Sequence, residues 1–173
     1  MKTGYLIYLI VFLVCLCLRT GYELLKKAGK VNPESKVLFT IILTIMILLW
    51  VSWFGMCPVD SWQLSLPQAV TTSGLVLVLI GLVLALGALA QLRGVENIDH
   101  LVTTGLFSVV RHPMYFGFIL WIVGWSVYHG AAVSALAGCA GIANILYWRQ
   151  LEETKLSETY GEVYKQYKHT TVF

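Results

Sequence analysis

Charge is what this sequence has least of: Asp, Glu, Lys and Arg make up 12% of its 173 residues, against roughly a quarter in a soluble domain, while hydrophobic residues make up 58%. That balance excludes a water-soluble globular protein and implies one that lives in a bilayer. The small basic excess of +3 is spread along the chain, which excludes the clustered basic face of a nucleic-acid binder. Cys15, Cys17, Cys57 and Cys139 lie in or beside apolar runs and form no C-x-x-C pair or Cys/His cluster. They read as small buried hydrophobes, and neither a disulfide framework nor a metal is expected. The first apolar run ends in Arg19-Thr20-Gly21-Tyr22, which lacks a small-residue cleavage site, so it is expected to be a retained helix and not a signal peptide.

What is there in abundance is apolar sequence of spanning length. Between Lys2 and Arg19 lie 16 uncharged residues, short of the roughly 20 that cross a bilayer core, but Arg19 can snorkel and let the helix run on toward Leu24. Val37 to Val59 is a second span, bounded by Lys36 and Pro58-Val59-Asp60, with Trp50, Trp53 and Trp62 near its far end as interface anchors. Gln68 to Leu92 is a third, entered through Pro67 and stopped by Arg93-Gly94. His112 to Trp148 then carries no formal charge for 37 residues. As one helix it would be about 55 Å long, too long for a core of about 30 Å, so it must fold back. His129-Gly130 is the turn signal, dividing it into Pro113–Tyr128 and Ala131–Trp148. Ala131, Ala135, Ala137, Gly138 and Gly141 on the second arm, with Gly117 and Gly124 on the first, predict close packing within that hairpin.

After Trp148 the chain turns polar. Tyr160, Tyr164 and Tyr167 follow at i, i+4, i+7, a stripe suited to the lipid interface or to covering a ligand. The expected fold is therefore an all-α integral membrane domain of five transmembrane helices, the last two a tight hairpin, followed by a cytoplasmic amphipathic C-terminal helix. Residues 1–92 hold the three N-terminal spans and residues 93–173 the loop, the hairpin and the C-terminal helix. With five alternating helices, eleven of the twelve basic residues fall on one side and Lys2 alone on the other. The positive-inside rule then places the amino terminus outside and the Arg111 loop and the tail in the cytoplasm.

One short stretch organises the rest. In Arg111-His112-Pro113 a charged, a titratable and a helix-starting residue stand in succession between apolar segments. Proline is well tolerated in the first turn of a helix, so Pro113 opens the following helix and Arg111 and His112 sit at its mouth. Unpaired backbone N–H groups and the helix dipole favour an anion there, and the guanidinium adds a fork of donors. Glu152 and Glu153 open the polar tail. Arg149, four residues before Glu153, has the spacing of a surface ion pair worth roughly 0.3 kcal/mol. The hairpin, however, returns the tail to the side of Arg111, so anion-binding and cation-binding groups face one cavity. A zwitterionic ligand with hydroxyls suits that pairing.

Leu101-Val102, Gly105-Leu106-Phe107, Arg111-His112-Pro113-Met114-Tyr115, an apolar hairpin, Glu152-Glu153 and the run Tyr160 to Tyr167 together resemble the isoprenylcysteine carboxyl methyltransferase and phospholipid methyltransferase superfamily. The resemblance covers roughly Gly87 to the end. It implies S-adenosylmethionine bound at the cytoplasmic face, with Arg111, His112, Pro113 and Tyr115 matching one family motif and Glu152 and Glu153 the other. In that picture Arg111 and His112 hold the cofactor's carboxylate, Glu152 and Glu153 its ammonium or ribose hydroxyls, and Tyr115 lines the adenosyl pocket. Arg111 and Glu153 are the expected catalytic pair, and both are expected to face the ligand. The implied acceptor is lipid-like, most simply the carboxylate of an isoprenylcysteine-like molecule, with a phospholipid or amine as the alternative. The sequence departs from the family at His169-Thr170-Thr171-Val172-Phe173, where members commonly carry an arginine followed by an aromatic-Ile-Pro-like end. Two further readings stay open: a sterol-reductase-like enzyme using NADPH, and a non-catalytic lipid-binding protein.

Overall fold

The computed structural model describes residues 3–32, 35–92 and 101–173; Lys2 and the Arg93-Gly94 stop lie outside the described residues. Among those residues the chain forms five α-helices and no strand, only two isolated bridges. Helix α1 is Thr3–Lys27, α2 Lys36–Met56, α3 Gln68–Leu92, α4 Pro113–His129 and α5 Ala132–Thr170. Three are long and apolar enough to cross a membrane: Thr3–Lys27, the α2 segment Lys36–Val59, and Gln68–Leu92. Helix α4, at 17 residues, measures about 26 Å.

The helix ends follow the local chemistry. The Ser35 hydroxyl accepts from the Leu38 amide at 3.4 Å at the start of α2, and Pro58 sits in the short 3-10 turn that ends it. Pro113 is the first residue of α4, as its fixed φ favours. Gly130 ends α4 in the left-handed region with φ 61°, and a Cβ there would run into the Leu64 carbonyl, so only glycine fits this turn. At the same end Asp60 is buried and caps α5 from another segment. Its Oδ2 accepts from the Ser134 amide at 2.6 Å and the Ser134 hydroxyl at 2.5 Å, while Oδ1 accepts from the Trp62 amide at 2.8 Å.

Two expectations about the hairpin change. Gly117 and Gly124 do not serve the α4–α5 contact. They face α3: a Cβ on Gly124 would lie 2.6 Å from the Gly74 carbonyl oxygen, and one on Gly117 2.5 Å from that of Gly81. Residues 74 and 124, and 81 and 117, thus meet as antiparallel glycine pairs two turns apart, the close backbone approach that small residues permit between membrane helices. Gly138 and Gly141 of α5 do meet α4, at Ile122, together with Trp53 and Phe12. The core is built mainly by α1, α2, α4 and α5 around Phe12, Trp53, Ile122 and Ile145, and α3, packed against α4, adds Ala85 to it. The second change is where the C-terminal helix begins. Nothing between Trp148 and Tyr160 breaks a helix, so the hairpin's second arm runs on out of the apolar zone; the helical backbone is broken only at Gly161, φ 53° and ψ −123°, a conformation that only glycine adopts readily, and a short helical segment to Thr170 follows it.

Candidate functional site

The bend at Gly161 sets the site. Glu153 and Lys168 would stand about 22 Å apart on a straight helix, yet Lys168 Nζ lies 2.7 Å from Glu153 Oε2. The returning segment docks on the loop before α4. The Tyr167 hydroxyl donates to the Phe107 carbonyl at 2.5 Å, the Val172 amide to Val109 at 3.0 Å, and the Arg111 amide to Val172 at 3.1 Å. Tyr164 is buried beneath it. Of the tyrosine stripe, Tyr167 is thereby tied to the loop before α4 and Tyr164 is turned inward.

Arg111 is the hub of this closure. Its Nη1 donates to the carbonyls of Thr171 at 2.6 Å and Lys168 at 3.1 Å, capping the end of α5, while its Nε donates to Glu153 Oε1 at 3.3 Å. Glu153 is 4% exposed. Burial pushes its carboxyl up, but the Lys168 hydrogen bond and charge, with His112 and Arg111, outweigh this and hold it below the ordinary value. Arg149 does not pair with Glu153; its guanidinium lies over the Phe173 ring at 4.6 Å.

His112 is the residue at the N-cap of α4, with φ −124° and ψ 62°, and its side chain makes no cap to the helix. Its ring stands between the two carboxylates, Nε2 3.4 Å from Glu153 Oε1 and Nδ1 3.8 Å from Glu152 Oε2. Neither approach is an aligned hydrogen bond, and Nε2 is buried without a partner. Burial pushes His112 down to about 4, helped by Arg149 and Arg111 and opposed by Glu153, so the ring is neutral at physiological pH. It stacks on Tyr115 with ring centroids 5.7 Å apart.

Glu152 differs from its neighbour. Its side chain is 40% exposed against 5% for Glu153. Partial burial pushes its carboxyl up, the Tyr115 hydroxyl opposes this, and Glu23 of α1 adds to it. The structure thus brings Arg111, His112, Pro113, Tyr115, Glu152 and Glu153 to one end of the bundle and distinguishes an internally neutralised carboxylate from an open one. Sequence reasoning missed Lys168, Arg19 and Glu23. The spacing of Arg19 and Glu23, four residues apart at the end of an apolar helix, was the available signal; Lys168 had none, because Gly161 delivers it.

A profile of the phospholipid methyltransferase family matches residues 69–163, from α3 into α5 and including both motif sets. The chain is 35% identical over 80 residues to a protein-S-isoprenylcysteine O-methyltransferase of Schizosaccharomyces pombe, covering 42% of this chain and 32% of that protein. It is 28% identical over 124 residues to protein-S-isoprenylcysteine O-methyltransferase B of Arabidopsis thaliana, covering 68% and 55%. It is 31% identical over 148 residues to a methanethiol S-methyltransferase of Pseudomonas deceptionensis, covering 75% and 53%. The chain spans between about a third and about half of these relatives' own lengths. No solved structure matches it.

Proposed function

The chain belongs to the phospholipid methyltransferase family, and from that membership we propose a membrane enzyme that moves a methyl group from S-adenosylmethionine to a lipid-like acceptor, the carboxylate of an isoprenylcysteine-like molecule. The observation that carries the reading is the asymmetry of the two glutamates. Glu153 is spent on Arg111 and Lys168, which leaves Glu152 as the carboxylate open to an ammonium or to ribose hydroxyls.

The other groups fit the same donor. His112 Nε2 and the Tyr164 hydroxyl are buried polar atoms without partners, suited to a ligand that brings both acceptors and donors. Arg111 spends Nε and Nη1 on Glu153 and the tail, and its Nη2 would take the donor's carboxylate. Tyr115 would line the adenosyl side. When bound, S-adenosylmethionine supplies an electrophilic methyl group whose transfer depends on in-line placement and exclusion of water more than on acid–base groups. The protein's part is therefore to hold and to cover. A neutral His112 orients without adding charge, and the roof of Tyr164 and Tyr167, locked by Arg111, keeps water out.

Helices α4 and α5 join α1, α2 and α3 as spans in this reading, with the amino terminus outside and the site cytoplasmic. The eleven-to-one distribution of basic residues supports that orientation. Reporters fused before Lys2 and after Phe173 test it; both on one side would refute it. An amphiphilic acceptor would enter laterally with its reacting atom at headgroup depth, because moving a polar group to the bilayer centre costs several kcal/mol.

A thiol acceptor is the second reading, favoured by the similarity to methanethiol S-methyltransferase over 75% of the chain. Incubating the purified protein with methyl-labelled S-adenosylmethionine and separate pools of prenylcysteine analogues, phospholipids, small thiols and amines decides between them. Label in the prenylcysteine pool supports the main reading and label in the thiol pool the second. Label only in the water-soluble pools removes lateral entry from the membrane.

A further inference from the structure

Helix α1 carries no family motif, yet it brings a charged pair to the site. Arg19 and Glu23 form an ion pair whose side chains are 12% and 16% exposed, while Ile7, Ile10, Leu13, Val14 and Leu18 of the same helix are exposed. A lysine or arginine near a membrane helix end ordinarily snorkels into water. Here the pair turns inward instead, with the guanidinium against Trp148 of α5.

The register between α1 and α5 shows what the pair faces. Thr20 donates to Asn144 at 2.5 Å, Trp148 Nε1 to Thr20 at 3.3 Å, and the Arg19 guanidinium lies 5.2 Å over the Trp148 ring and 5.3 Å over Tyr22. The two helices leave these contacts in the same direction. One turn beyond Arg19 is Glu23, and one turn beyond Trp148 is Glu152. This register brings Glu23 to the same end as Glu152 and Tyr115, where its charge adds to the upward push on Glu152 and those of Lys26 and Arg19 oppose it. The remaining groups facing Glu152 are Arg19 and Lys26 of α1, the Tyr115 hydroxyl, and His112, whose Nδ1 stands 3.8 Å away. Arg19 is committed to Glu23 and two rings. Lys26 lies 5.7 Å over the Tyr22 ring. His112 is nine-tenths buried with Nε2 unpartnered. Arg19 takes only Oε1 of Glu23, whereas both oxygens of Glu153 are taken, by Arg111 and Lys168; the second oxygen of Glu23, beside the open Glu152, is an acceptor suited to the three donors of an ammonium group.

We propose that Glu23, positioned by Arg19, is a further binding residue for the methyl donor and receives its α-ammonium jointly with Glu152. The proposal rests on the reading of the site as a donor site and deepens it. It makes the first helix part of the machinery, where sequence motifs confine the machinery to the second half of the chain.

The test is a binding titration of the full chain in detergent with S-adenosylmethionine and with its analogue lacking the α-amino group. The wild-type protein should prefer the natural donor, and Glu23→Gln should erase about tenfold of that preference while binding of the deaminated analogue changes little. Glu23→Asp should retain part of it. A merely structural ion pair predicts that both ligands weaken together and the preference stands, which overturns the proposal. Should Glu23→Gln fail to fold, Arg19→Lys carries the same comparison, since it keeps the charge and loses the planar fork. Absence of S-adenosylmethionine binding by the wild-type protein is a different result: it removes the donor-site reading itself, and this proposal with it.

Discussion

Replacing Glu153 by alanine should cost stability, and the structure says how much and where. The change removes a carboxylate whose side chain is 5% exposed and strands Arg111, 10% exposed, and Lys168, 50% exposed. Breaking a buried pair by deleting one partner costs about 3–5 kcal/mol. Lys168 keeps half its surface in water and adds little, and Arg111 retains the Thr171 and Lys168 carbonyls, so the low end, about 3 kcal/mol, is expected. Glu153→Gln keeps an acceptor for Arg111 and should lose less. The loss should be concentrated where the tail docks. Hydrogen exchange in detergent should show the Val172 amide, bonded to Val109, losing protection first, and denaturant titration should give the global value. A loss below about 0.5 kcal/mol, the range of an ordinary surface substitution, with Val172 still protected, would refute the account of Arg111 and Glu153 as the lock of the site.

Three further outcomes follow from other parts of the molecule. Asp60→Ala removes the buried cap of α5 and leaves the Ser134 amide without its acceptor, which should cost about 2–3 kcal/mol; an unchanged unfolding midpoint would contradict it. His112 has an ordinary value of 6.5 and is pushed to about 4 by burial, so in that window the unfolded chain binds a proton that the folded one does not. Stability should fall as pH drops from 6.5 toward 4 and His112→Gln should flatten that part of the curve; Glu152, shifted upward, acts in the opposite direction and is common to both proteins. Gly161→Ala places a side chain in a backbone conformation costing about 1–3 kcal/mol, so it should release the tail and expose the Val172 amide without unfolding α1 to α4, as hydrogen exchange would report.

The sequence made the site's location readable before its wiring. Pro113 as a helix start and Gly130 as a turn are consequences of backbone chemistry within a few residues, and both stand where the residue types place them. Glu153 was visible as a carboxylate near a cation, but the obvious partner by spacing, Arg149, is elsewhere. Its real partners come from a loop 42 residues upstream and a segment 15 residues downstream, and one glycine's dihedral angles decide the second. Hydropathy changes at Trp148, yet a helix needs no apolar residues to continue, and the break falls instead at Gly161. Gly117 and Gly124 illustrate the same limit: a small residue announces close approach without saying to which neighbour. Gly74 and Gly81 repeat the seven-residue spacing on α3, a match that means contact only once the two helices are known to be antiparallel neighbours.

The central claim, that this end of the bundle is a methyl-donor site organised around an open Glu152, is tested most directly by calorimetric titration of the purified protein in detergent with S-adenosylmethionine and, separately, with NADPH. The account predicts saturable binding of S-adenosylmethionine, a loss of about tenfold in affinity on Glu152→Gln, and no binding of the dinucleotide. Saturable binding of NADPH with none of S-adenosylmethionine, or a Glu152→Gln protein that binds as the wild type does, would contradict it.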